Sequence, residues 1–399
     1  MDKVSLYFLC IVSFLGCNMV DISNNIYHNE HTVVVDMTNS EPVGELSLFY
    51  DSVCNPQLIP LSMDSMELVS DIDQLTMYNS KLYFRDNQLK ALFCCDSLGK
   101  KQFAIKRRGR GPGEYLDLTD FCINYDTLYV LDRLGPKIVC YSATDGRYLK
   151  SVEVNDLAGY YALHVANNRL WLLQSVTKTD NNSNVYSLVT MGHNGQIIQK
   201  MFPQSLKYTK RLSDYFLDGD IYSHNNDINI IIPMQNSIYG MRGDSIYVKY
   251  RFDFADKDID TFINHMDGVA SNEEFDKMCQ EHMIISLQGN AVESDTHIIA
   301  PVRKGKEAMY LIFDKVNCFC KLYQRTMNGC YYLMGGGSRI YSLGNNRFAT
   351  VLFPHNFYPF PKPDIFENSS YNLKIVYNQL SKMNIKEDDN PLIMTFTLQ

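Results

Sequence analysis

Arg108-Gly109-Arg110-Gly111-Pro112-Gly113-Glu114-Tyr115 stands between two copies of one strand pattern, and that placement decides the fold. Before it run Leu82-Tyr83-Phe84-Arg85-Asp86, Leu89-Lys90-Ala91-Leu92-Phe93, the turn Asp96-Ser97-Leu98-Gly99-Lys100, and Phe103-Ala104-Ile105. After it come Leu128-Tyr129-Val130-Leu131-Asp132, Lys137-Ile138-Val139-Cys140-Tyr141, the turn Ala143-Thr144-Asp145-Gly146-Arg147, and Leu149-Lys150-Ser151-Val152. Tyr83 to Tyr129 is 46 residues and Gly99 to Gly146 is 47, a spacing that fits four-stranded propeller blades of roughly 40–50 residues each. Stacked helix pairs would show a period of about 3.6 residues instead. In the joining loop, glycine permits positive φ and a close crossing of chains while Pro112 fixes one φ, which suits the passage from the outer strand of one blade to the inner strand of the next. Glu114 is expected to cap backbone donors there or to pair with Arg108 or Arg110. The loop lacks the Lys-Ser/Thr ending of a phosphate cradle and no helix follows it, so phosphate binding is not expected.

Working outward, a third unit holds Leu170-Trp171-Leu172-Leu173 and Val185-Tyr186-Ser187-Leu188-Val189, with Asp180-Asn181-Asn182-Ser183-Asn184 as a polar hairpin tip. A fourth holds Ile228-Asn229-Ile230-Ile231-Ile232-Pro233 and Ser245-Ile246-Tyr247-Val248-Lys249-Tyr250. A fifth holds His297-Ile298-Ile299-Ala300-Pro301 and Met309-Tyr310-Leu311-Ile312-Phe313, and a sixth Arg339-Ile340-Tyr341-Ser342 and Arg347-Phe348-Ala349-Thr350-Val351-Leu352. Pro233 and Pro301 are expected just past inner strands, where a missing backbone donor is tolerated. The fold class is therefore all-β, a six-bladed β-propeller with four-stranded antiparallel blades and two small helical insertions. The first insertion spans Asp256 to Met283, where Ser271 and Glu274 form a capping box and Phe275, Met278, Cys279 and His282 share a face. The second places Leu373, Val376, Tyr377 and Leu380 at helical spacing. The early strand His31-Thr32-Val33-Val34-Val35-Asp36 is expected to pair into the last blade and close the ring.

Composition agrees. The 399 residues are 45% hydrophobic, and 27 Tyr and 21 Phe against one Trp favour strands over helices. A net charge of −8 supplies no field that would attract nucleic acid. Lys3 precedes an apolar run, Val4 to Gly16, that is too short to span a bilayer and ends at Cys17. It has the form of an export signal whose small residue before a cysteine marks Cys17 as the lipidated first residue of the mature chain, against an ordinary secretory signal cut nearby. Residues 1–17 are then signal, 18–30 a flexible tether and 31–399 the propeller. Eleven cysteines less Cys10 and Cys17 leave nine, an odd number scattered through strand-like segments, and small apolar filling is the expected role of most.

Three features together resemble the exported six-bladed β-propeller lipoproteins of Bacteroides and its relatives. They are Gly109-Arg110-Gly111-Pro112-Gly113-Glu114-Tyr115, Asp96-Ser97-Leu98-Gly99-Lys100 and the ending Glu387-Asp388-Asp389-Asn390-Pro391-Leu392. The resemblance covers roughly His31 to Gln399, is similar to NHL-type propellers, and implies fold and export rather than an activity. Surface-exposed lipoproteins of such bacteria often carry acidic residues right after the lipidated cysteine. Asn18-Met19-Val20-Asp21 lacks that cluster, which the resemblance takes as a periplasm-facing anchor.

For function, the histidines include no His-x-His and no His-Glu-x-x-His, so local spacing gives no metal site, and no cofactor is expected. A ring can still assemble a site from one residue per blade. Asp120, His164, His224 and His297 are read at or near the starts of inner strands and are the candidates to converge on the channel, with Arg110 and Glu114 as ligand-facing candidates on the joining loop. The alternative for each is an isolated solvated or hydrogen-bonded residue. The expected function is a membrane-anchored, monomeric platform that binds a protein or carbohydrate ligand without chemistry and binds no nucleic acid. The alternative is a metal-assisted hydrolase or lyase acting in the channel, which needs three or more His, Asp or Glu side chains at one point.

Overall fold

The computed structural model describes residues 26–27, 32–38, 42–44, 52–64, 67–154, 159–174, 185–204, 219–264, 272–325, 339–358 and 371–398. Six antiparallel sheets stand around one axis. Blade 1 is Gln74–Tyr78, Lys81–Asp86, Ala91–Cys95 and Lys101–Ile105, and blade 2 is Asp120–Asn124, Thr127–Asp132, Lys137–Ser142 and Tyr148–Glu153. Blade 3 is Tyr160–Ala166, Arg169–Gln174, Val185–Met191 and Ile197–Gln204, and blade 4 is Asp220–His224, Asp227–Ile231, Ser237–Arg242 and Ser245–Asp253. Blade 5 has a split inner strand, Ile285–Leu287 and Val292–Glu293, followed by His297–Lys304, Glu307–Asp314 and Phe319–Gln324. Blade 6 is Tyr341–Gly344, Arg347–Leu352, Leu392–Leu398 and, outermost, Val53–Pro60.

The second and third strands of each blade are covered on both faces, which is why they read as unbroken apolar runs: every residue of Ala91–Cys95 is buried. The core accordingly lies between blades. Trp171, Leu173 and Leu188 of blade 3 pack on Ile221, Ile230 and Tyr239 of blade 4, and Tyr83 and Leu92 of blade 1 pack on Phe121, Val130 and Tyr141 of blade 2. The adjacent thiols of Cys94 and Cys95 face opposite ways, one into the blade 1–2 core and one into the blade 6–1 core. The described cysteines are all free.

Two buried carboxylates recur at the ends of second strands. Asp132 accepts Leu116 N, Asp117 N and Gly135 N at 2.8, 3.0 and 2.8 Å, tying its own turn to the chain arriving from blade 1. Asp86 does the same for Ser70 N, Gln88 N and Leu89 N at 2.8, 3.0 and 2.9 Å. The joining loop behaves as its sequence demands. Glu114 accepts Gly111 N at 2.7 Å, Tyr115 is fully buried, and Gly113 sits at φ +72° where a Cβ would come within 2.8 Å of the Tyr148 ring.

The N-terminal segment corrects one expectation. Val33–Asp36 lies far from blade 6 in the sheet order and pairs in parallel with Tyr250–Asp253, outside blade 4. The strand that joins the final sheet from the front of the chain is Val53–Pro60, antiparallel to Leu392–Leu398. Thr32 to Asp36 carries the stronger β pattern, but its partner is chosen by which edge lies open along its path. Between the two strands, Val43 N donates to Leu322 O and Gln324 N to Gly44 O, so this arm runs along blades 4, 5 and 6 in turn. Of the stretch read as a tether, only Ile26–Tyr27 is described, and it lies parallel to Ile246 and Tyr247. The signal and Cys17 lie outside the described residues, as do Ser271 and the 180–184 hairpin tip.

The two prolines are also relocated. Pro233 follows the second strand of blade 4, and Pro301 lies within the second strand of blade 5. Pro301 is tolerated because it faces the break in the split inner strand, where Gln288 N donates to its carbonyl. The helical insertions form as Ile259–Asn264 with Asn272–Glu281, and as Tyr371–Leu380. Phe275 and Cys279 are buried against Ile259 and Ile284, whereas His282 is exposed and lies 5.6 Å from the Phe262 ring.

Candidate functional site at the channel entrance

Each inner strand turns one edge to the axis, and its open N–H and C=O groups need partners. The neighbouring blade supplies them. Gln74 Nε2 donates to Phe121 O at 2.7 Å, from blade 1 to blade 2. From blade 2, Asp120 Oδ2 accepts Leu163 N at 2.6 Å and Asn124 Nδ2 donates to Val165 O at 2.6 Å on blade 3. Tyr161 Oη accepts Gly219 N at 3.1 Å, and His164 Nε2 lies 2.7 Å from Ser223 Oγ, from blade 3 to blade 4. Tyr222 Oη donates to Glu293 at 3.1 Å, and Tyr341 Oη donates to Ile72 O at 2.6 Å. These polar sutures explain why inner strands carry Gln, Asp, Asn, Tyr and His where the other strands are apolar.

The candidates chosen from sequence fall into this scheme at different levels. Asp120 opens the inner strand of blade 2 and binds blade 3, and His164 sits in the middle of its strand with its pKa held down at about 4 by burial, so it is a neutral partner of Ser223. His224 closes the inner strand of blade 4, 3.2 Å from Asp295, with burial lowering its pKa. His297 is not on an inner strand: it opens the second strand of blade 5, where its Nδ1 lies 2.9 Å from Thr296 Oγ1. Arg110 is exposed on the loop between blades 1 and 2, and Glu114 is occupied by Gly111. The four channel candidates therefore do not meet at one point. Among the described residues no group of three or more His, Cys, Asp or Glu side chains is placed to hold a metal ion.

A different set does come together where the inner strands begin. Arg85 makes a two-pronged ion pair with Asp73, Nε to Oδ1 at 2.8 Å and Nη2 to Oδ2 at 2.6 Å, and also donates to Thr119 O. Arg339 donates to the Asp73 carbonyl at 2.6 Å, and among the described residues no carboxylate lies within ion-pair distance of it. Burial raises the pKa of Asp71, helped by the charges of Asp73 and Asp86. Burial also lifts Asp120 to about 6 against the pull of Arg85, and lifts Asp220 to about 7, where the charge of Asp120 adds to it and Arg339 opposes it. Near neutral pH this entrance thus holds exchangeable protons beside a guanidinium with spare donors, and offers both donors and acceptors to a ligand. Sequence reading missed Asp71, Arg85, Asp220 and Arg339. Asp220 occupies the same first position of its strand as Asp120, a signal visible only once the polar inner strands are recognised as strands.

Antiparallel topology puts the first-to-second and third-to-fourth turns of every blade at one end and all other connections at the entrance end. The former are short, none longer than 143–147 or its equals. The latter include 106–119, 205–219, 254–284, 325–340 and 353–391.

The fold and this entrance define a six-bladed antiparallel propeller whose axis opens among charged side chains beneath long connections. Residues 32–397 match the family described as a domain of unknown function, DUF4934, and the chain belongs to that family. Its fold is similar to that of a Bacteroides fragilis protein named "Putative exported protein", with TM-score 0.70 and 16% identity over 92% of this chain and 99% of that one. It is also similar to a member of the DUF4221 family from Bacteroides vulgatus, with TM-score 0.50 and 8% identity over 91% of this chain and 99% of that one. No curated protein matches the sequence.

Proposed function

We propose that this chain is an exported, lipid-anchored propeller of the bacterial envelope that binds a protein or carbohydrate ligand, without transforming it, at the entrance end of its channel. The observation that carries the reading is the joint placement of Arg339, Asp71 and Asp220 at the same end as the long connections. Rigid sheets below and variable loops above are the usual division of labour in binding scaffolds. Export is supported by the Val4–Gly16 run and Cys17, and by the name of the Bacteroides fragilis relative. The anchor faces the periplasm in this reading, since no acidic cluster follows Cys17.

The binding reading is tested with a glycan array and a peptide array probed by the purified chain, in parallel with the Arg339→Ala and Asp220→Asn variants. Saturable binding that both variants weaken at least tenfold supports it, and turnover of any bound compound overturns the non-catalytic part. Fractionation tests the anchor: Cys17→Ala should move the chain from membrane to soluble fractions, and an unchanged distribution removes that element.

A further inference from the structure

Away from the channel, a cleft of about 760 Å³ opens where blade 6 meets blade 1. Its apolar lining is Leu58 and Ile59 of the outer strand of blade 6, Met77 and Leu98 of blade 1, and Met383 just past the helix Tyr371–Leu380. Its charged lining is Arg347 and Lys382, and no carboxylate lines it. That is selective in a protein with 45 acidic and 37 basic residues. Arg347 donates to the Thr395 hydroxyl at 3.2 Å, and among the described residues neither cation has a carboxylate within ion-pair distance. We propose that this cleft binds an amphipathic anion, an acyl or aryl group ending in one carboxylate or phosphate.

The volume falls in the range of small-molecule sites, roughly 300–1,000 Å³, and such sites are mostly apolar with a few polar groups that fix orientation. The walls are held in place before any ligand arrives. Leu373, Val376 and Leu380 bury the helix in the core between blades 5 and 6, and Gln379 donates to Pro56 O at 3.3 Å. Ser62 is paired on both sides, its N to Gly99 O at 2.9 Å and its carbonyl to Lys101 N at 3.0 Å, which locks the outer strand of blade 6 onto the turn that carries Leu98. A preformed wall lowers the ordering cost of binding. Leu98 is 80% exposed on the rim, an apolar side chain with no core to serve.

The proposal is independent of the channel entrance and is tested apart from it. The full chain carrying Cys17→Ala is titrated with 11-(dansylamino)undecanoic acid and with the methyl ester of that acid, following dansyl emission. The expected result is saturable binding of the acid at least tenfold tighter than the ester. The double variant Arg347→Gln/Lys382→Gln is expected to lose at least tenfold for the acid and to leave the ester unchanged. Lys382→Glu alone, at an exposed position, should weaken the acid at least threefold and guards against misfolding of the double variant. Equal binding of acid and ester, or a double variant that binds the acid like the parent, overturns the proposal. Retention on phosphatidylglycerol vesicles without binding of the free acid also overturns it, since the cations would then be reading a bilayer surface.

Discussion

The two ends of the ring are built by different rules. Where the inner strands of blades 1, 3, 4 and 6 finish, the chain reverses in two residues at positive φ: Asn79-Ser80 at 46° and 59°, Asn167-Asn168 at 52° and 57°, Asn225-Asn226 at 51° and 66°, Asn345-Asn346 at 49° and 59°. These are mirror-image hairpin turns whose twist matches the strands, and Asn tolerates them better than most side chains. At the other end the connections within and between blades run as long as 353–391 and 254–284, and order comes from carboxylates such as Asp86 and Asp132 that gather backbone donors. One end is limited by backbone geometry and the other by anchoring. The anchored end alone can vary in length without disturbing strand register, and there Arg339, Asp71, Asp120 and Asp220 collect.

That contrast can be broken most forcefully at an anchor. Asp132→Ala leaves three backbone donors without their fully buried carboxylate, and should cost about 3 kcal/mol of stability in denaturant titration. A loss below about 1 kcal/mol would mean that the connections at this end hold themselves. In the joining loop, Gly113→Ala forces a Cβ to 2.8 Å from Tyr148 at φ +72°, and a penalty of about 2 kcal/mol is expected in the same measurement.

The short end should respond to backbone chemistry instead. Asn168→Val puts a β-branched residue at φ 57° and is expected to cost about 1–2 kcal/mol, whereas Asn168→Gly should stay within about 0.5 kcal/mol of the parent. Equal losses from the two substitutions would show that the Asn side chain, not its backbone angle, matters.

A smaller effect sharpens the electrostatic side of the comparison. Asp220 and Asp120 have folded-state pKa values of about 7 and about 6, above the ordinary 3.8, so between pH 4 and 7 the folded chain binds more protons than the unfolded one. Stability from this source is present at pH 4 and is lost as pH rises through 6 to 7. Partial exposure of both carboxylates moderates the size. Asp220→Asn should flatten the decline in melting temperature across pH 4–8, and an unchanged slope would place the titrating group elsewhere.

Much of this was legible beforehand, and what was not has a common cause. The second and third strands were readable as apolar runs, Leu82–Asp86 and Lys137–Tyr141 among them, because both faces are covered. Gln74–Tyr78, Asp120–Asn124 and Asp220–His224 were not, because one edge of each faces the axis and its sutures require polar side chains. Polar inner strands leave the apolar second strands of blades 4 and 5 as the first legible strands of their units. That displaced Pro233, Pro301 and His297 by one strand and hid Asp220 and Arg339. The arm failed for another reason: Val33–Asp36 has the alternation of a strand, but alternation does not name a partner, and the edge it meets is that of blade 4.

The outermost strand of blade 6, Val53–Pro60, is made long before its partner, Leu392–Leu398. Val53–Pro60 therefore waits, without that partner, while more than three hundred residues are added, and the sixth sheet is completed only when Leu392–Leu398 arrives. Closure of the ring is therefore the final cooperative step, and loss of Leu392–Leu398 would leave an assembly open at one seam and prone to pair with its neighbours.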